Sequence, residues 1–140
     1  MISVPSATIA IPCCDADTQA DLFLHLSPPE DAVLVGTIEI HYPALKLISA
    51  FSPSVADVLS FTHALHRLHR TLSGEATLRE PQGSHLLFAV ADARRGLIAL
   101  SGALYPLKHP GFNVNFATLY IDQSHLPSLL QNLQCLIEPE

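Results

Sequence analysis

Histidine and cysteine are the residue types in this chain best suited to chemistry, and His63, His66 and His69 form the tightest set among its eight histidines. Three residues apart on a helix, each points about 60° round from the one before, so the three fan outward instead of converging. Metal-binding helices more usually place two histidines four apart with a carboxylate nearby, as in H-E-x-x-H. Here Arg67 and Arg70 stand among the histidines instead, and their charge opposes a divalent cation. The pattern predicts the solvent side of a helix, with His66 and His69 flanking its buried seam, and no metal site.

The three cysteines are an odd number, and Cys13 and Cys14 are adjacent, so on a strand they face opposite ways. Cys135 lies amid leucines near the end of the chain, where a free thiol behaves as a small hydrophobe. All three are expected to be structural. A nucleophilic serine would need an elbow such as G-x-S-x-G, yet Ser101-Gly102 follows a leucine. Phosphate binding would need a glycine-rich turn opening a helix, and the six glycines are scattered singly. Asp57, Glu75, Glu80, Asp92 and Asp122 stand at helix starts or turns, where local roles suffice. No catalytic residue, cofactor or metal ligand is assigned. An enzyme would require the fold to draw His41, His85, His109 or His125 together.

Charge narrows the partner. The net charge is −6, which disfavours any partner bound through a phosphate backbone and so argues against nucleic acid. Residues 1–51 carry Asp15, Asp17, Asp21, Glu30, Asp31 and Glu39 against Lys46 alone, a local charge of −5. Either this is a solvated face, or Asp15, Asp17, Asp21, Glu30 and Asp31 attract a basic protein partner and speed encounter.

The elements that must position these residues follow from periodicity. At 140 residues, 49% hydrophobic and 14% charged, the chain is predicted to fold as a single domain around one core. Ala7 to Cys13, Asp21 to Leu26, Val33 to Tyr42 and Lys46 to Phe51 read as four strands. In the third, Glu39 and His41 share the face opposite Ile38 and Ile40.

The period then lengthens, and Ser54 to Leu72 is a helix with Val58, Phe61, Leu65, Leu68 and Leu72 on one stripe. Ser52 or Ser54 caps it, Pro53 suits its first turn, and Gly74 stands past its end. Glu75 to Glu80, His85 to Ala91, Leu97 to Tyr105 and Phe112 to Ile121 give four more strands joined by short turns, so antiparallel pairing is favoured. Ser124 caps a closing helix with Leu126, Leu129, Leu130, Leu133, Leu136 and Ile137 inward. The fold class is α+β: about eight mostly antiparallel strands, four before and four after a central helix, with a C-terminal helix packed on the sheet. No internal repeat is visible. The apolar start lacks a positive n-region and is broken by Pro5 and Pro12, and no stretch is long enough to cross a membrane, so the cytoplasm is expected.

From about Lys46 to Ile137, two thirds of the chain, the sequence resembles the WapI-type immunity proteins of bacterial polymorphic toxin systems. The likeness runs through the helix, Leu72-Ser73-Gly74-Glu75-Ala76, Leu86 and Phe88, Gly96-Leu97-Ile98, Ser101-Gly102, Phe116, Ile121-Asp122-Gln123-Ser124 and Leu126-Pro127. It implies a non-enzymatic protein that neutralises a cognate toxin by stoichiometric binding in the cytoplasm, without a cofactor. The alternative is an assembly module in which the stripe of either helix is shared in a homodimer.

Overall fold

A computed structural model describes residues 7–15, 18–105 and 113–137. In chain order it has β1 (Ala7–Asp15), β2 (Thr18–Leu26), β3 (Gly36–Tyr42), β4 (Leu45–Ala50), α1 (Val55–Thr71), β5 (Glu75–Arg79), β6 (His85–Asp92), β7 (Leu97–Leu104), β8 (Val114–Asp122), a 3-10 turn (Gln123–His125) and α2 (Leu126–Ile137). The protein is α+β, with four strands, a helix, four strands and a closing helix. The strands form one sheet in the order β4-β3-β2-β1-β8-β7-β6-β5, antiparallel at every pairing. Four strands and a helix therefore occur twice, a repetition of architecture that the amino-acid sequence does not show. The two four-stranded meanders meet at β1 and β8, where the ladder among the described residues is the pair Cys14 and Tyr120.

Alternation along each strand fixes the buried face. Ile9 lies opposite Leu24 and Ile11 opposite Leu22; Leu22 and Leu24 in turn face Ile40 and Ile38. In the other meander Ala76 pairs with Phe88, Phe88 with Leu100, and Leu100 with Leu119. All of these are buried and share one core with Val58, Phe61, Leu65 and Leu68 of α1 and Leu126, Leu129, Leu133 and Leu136 of α2. Both helices thus cover the same side of the sheet, α1 against β5 and β6 and α2 against β1 and α1. Among the described residues, nothing covers the opposite side. Val58, Phe61, Leu65 and Leu68 of the α1 stripe are buried within their own chain.

Local chemistry explains the helix ends. Ser54 caps α1: its hydroxyl accepts from the Asp57 N–H at 3.0 Å and the Asp57 carboxylate accepts from the Ser54 N–H at 3.1 Å, a reciprocal box. Pro53 lies one residue before the cap instead of in the first turn, and the left-handed residue that ends the helix is Leu72 (φ 52°), ahead of Gly74. Asp122, not Ser124, opens the closing helical segment. Its carboxylate accepts from the Ser124 N–H at 2.8 Å, and that bond holds its carboxyl below the ordinary range.

The third strand begins at Gly36 instead of Val33, because residues 30–33 make a tight turn. Glu30 and Val33 exchange backbone hydrogen bonds at 2.9 and 3.1 Å. Asp31 (φ 52°) and Ala32 (φ 64°) are both left-handed between them, as a two-residue hairpin turn of the mirror-image type requires. Leu34 then donates to the Pro53 carbonyl, tying this linker to the start of α1.

Candidate functional site

The uncovered sheet face carries one polar cluster, and register builds it. Leu22, Leu24 and Leu26 fill the core, so Phe23 and His25 of β2 point outward. Ile38 and Ile40 do the same for Glu39 and His41 of β3. Phe23 stands directly opposite Glu39, which leaves His25 as a diagonal neighbour across the ladder and His41 two residues on along the same strand, both within reach of its carboxylate. His41 Nε2 is 2.7 Å from Glu39 Oε2. His25 Nε2 lies 3.4 Å from Glu39 Oε1, an ion-pair distance, but this buried nitrogen has no aligned hydrogen bond among the described residues. Its other ring nitrogen, Nδ1, is 3.0 Å from the Thr8 hydroxyl of β1. The Phe23 ring closes the group, stacked near His25 at 6.3 Å and tilted against His41 at 5.1 Å.

Glu39 thereby reaches from β3 to His25 of β2, and His25 in turn reaches Thr8 of β1. The hydrogen bond from His41 holds the Glu39 carboxyl below its ordinary value, partial burial opposes this, and Lys46 and His25 add to the lowering. A depressed carboxyl stabilises the fold fully above its unfolded-state value and ceases to do so as pH falls through the folded one. Glu39→Gln is therefore expected to flatten the acid limb of stability: the wild-type urea midpoint falls more steeply than that of the variant as pH drops through the carboxylate range. Parallel acid limbs would show that Glu39 is not the group responsible.

The helical histidines behave differently from a metal set. His63 and His66 line a groove of about 410 Å³ between α1 and α2, with Arg67, Arg70 and the apolar Leu59 and Leu130. His69 is half-buried and is not among the residues that line this groove. Among the described residues no group of three or more histidine, cysteine or acidic side chains could hold a metal ion.

The acidic residues nominated for partner binding are not gathered into one patch. Asp15 ends β1, and Asp21 is half-buried on β2 opposite His41. Glu30 and Asp31 are exposed in the turn beyond the far end of β2, on the order of 25–30 Å from Asp15. Asp17 falls outside the described residues, as does His109. Of the other histidines considered for catalysis, His41 and His85 are five strands apart in the sheet, on the order of 24 Å, and exposed His125 is in the turn before α2. What the fold joins to His41 is His25. Its signal was the leucine alternation along β2, which puts Phe23 and His25 on the same outward face. Cys13 is buried as expected of a structural thiol; Cys135 is exposed on α2, on the side away from the leucine stripe.

No family model, curated protein or solved structure matches this chain. No helix among the described residues is long and apolar enough to cross a membrane.

Proposed function

We propose that this chain is a non-enzymatic immunity protein that binds and neutralises a cognate bacterial toxin acting in the cytoplasm, and that its docking surface is the open face of the sheet. The observation that carries this reading is the uncovered face itself. Ala10 pairs with Phe23, Tyr120 with Cys14 and Ala99, and Ala99 with Ala89, so small and aromatic side chains run across the middle of the sheet. Phe23, Ala89, Ala99 and Tyr120 are half-exposed. Aromatic, weakly charged surface of this kind is what the centre of a protein interface uses, with charged groups at its rim. The His25–Glu39–His41 cluster supplies such a rim, and the acidic Asp21 on the same face suits a toxin with a basic substrate groove.

The test is co-expression with the toxin domain encoded beside its gene, followed by co-purification. The wild-type chain is expected to restore growth and to bind one to one. Phe23→Asp combined with Ala99→Arg is expected to weaken binding by roughly tenfold or more, about 1.4 kcal/mol, while leaving the fold intact. A wild-type chain that neither protects nor binds removes the immunity reading. A double variant with undiminished affinity removes this face from it.

A further inference from the structure

We infer that β4 is a homodimerisation edge, at which two copies of the chain pair their β4 strands antiparallel across a two-fold axis and continue the sheet from one molecule into the other. This does not depend on the immunity reading, because it concerns a different surface.

The backbone makes the first point. Phe51 N–H donates to the Gly36 carbonyl at 2.9 Å, and the register continues Ser49 opposite Ile38, Leu47 opposite Ile40 and Leu45 opposite Tyr42. In an antiparallel ladder the pairs that exchange hydrogen bonds alternate with pairs that do not. The N–H and C=O groups of Lys46, Ile48 and Ala50 therefore point away from β3, to the side where no strand follows among the described residues. These three residues are exposed.

The side chains make the second point. Of the large hydrophobic residues most exposed to water, Leu45 (61%) and Ile48 (53%) are on β4, and Val35 (59%) lies just before the strand that pairs with it. An apolar edge six residues long has only the charge of Lys46 to oppose association. The other free edge has them: β5 is five residues long, carries Glu75 and Arg79 at its ends and is packed by α1.

A second copy fits better than a foreign strand because the register is self-complementary. With Ile48 opposite Ile48 of the other copy, Lys46 of each meets Ala50 of the other, and all three outward-facing residues exchange backbone bonds. The two isoleucines meet on the open face, and Leu45 comes beside the other copy's Phe51. The two lysines are then four residues apart along the strands, about 14 Å, beyond the roughly 8 Å over which salt leaves charges coupled.

The experiment measures mass in solution together with amide exchange, on the whole chain. The wild type is expected at twice 15.1 kDa, with slow exchange at Lys46, Ile48 and Ala50. Ile48→Lys and, separately, Ala50→Pro are expected to halve the mass and free those amides while Leu47, Ser49 and Phe51 stay protected. The proline removes an outward N–H and leaves the β3 ladder whole, so one variant serves if the other does not fold. A wild type that stays at the mass of one chain overturns the proposal. So does a dimer that survives both substitutions or leaves the Lys46, Ile48 and Ala50 amides open, since it must use another surface.

Discussion

Phe88→Ala is expected to cost about 3–5 kcal/mol of folding free energy, the range for emptying a buried aromatic site. Phe88 is fully buried in β6, between Ala76 of β5 and Leu100 of β7. Its ring lies 5.3 Å from that of Phe61, tilted by 53°, which is the favourable edge-to-face region for two aromatics. That contact joins α1 to the second meander. The alanine would remove both the transferred apolar surface and the partner that holds the Phe61 ring, and neighbours pinned by backbone ladders on both sides cannot collapse into the space. Against a net stability of about 5–15 kcal/mol, this is about a fifth or more of what holds the molecule together. Chemical denaturation at neutral pH reads it as a lowered midpoint with an unchanged slope. A loss below about 1.5 kcal/mol would mean that the helix re-seats on the sheet and that the site is less rigid than the ladder implies.

Gly36→Ala is expected to destabilise by about 3 kcal/mol or more, at the upper end for overpacking, although it adds only a methyl group. Gly36 faces Leu26 across the β2–β3 ladder. A Cβ there would stand 2.0 Å from the His25 carbonyl oxygen and 2.8 Å from Leu26 Cδ2, and the first of these is backbone that cannot swing aside. Relief requires β3 to move off β2, which would also draw Glu39 from His25. Gly74→Ala is the control: its φ of 82° is unfavourable to a side chain, but nothing lies within 4 Å of the added carbon, and the cost should be nearer about 1 kcal/mol. Equal losses at the two positions, measured by the same denaturation midpoints, would show that backbone strain and not the close approach is what the variants report.

Most of the architecture is legible in the sequence because period alone carries it. The spacing of Val58, Phe61, Leu65 and Leu68 specifies a helix, and the alternation of Leu22, Leu24 and Leu26 specifies a strand and its inner face. Boundaries slip where a side chain or turn overrides the pattern: Val33 to Val35 look like strand, but the left-handed Asp31 and Ala32 divert the chain before Gly36. The sheet order is not legible, since nothing in either β1 or β8 taken alone says that they are neighbours. The polar cluster was half visible. Glu39 and His41 fall on one face by alternation, whereas His25 joins them only through the register of β2 on β3, a long-range fact. The acidic residues show the reverse limit: closeness in sequence and common charge suggested one patch, and a strand nine residues long separates its two parts.

The strand order puts the first strand and the last, β1 and β8, side by side at the middle of the sheet. Trimming is then unlike trimming a sheet whose terminal strands lie outermost. Removing β1 does not shorten the sheet by one strand but divides it, baring the whole flank of β2, breaking the Cys14–Tyr120 junction with β8 and taking away the strand on which α2 rests. A cut within the β4–α1 connection, by contrast, leaves every strand with its neighbours. A deletion series would therefore find β1 costlier to lose than the outer strand β5, whereas two fragments divided between β4 and α1 retain between them every strand pairing needed to reassemble.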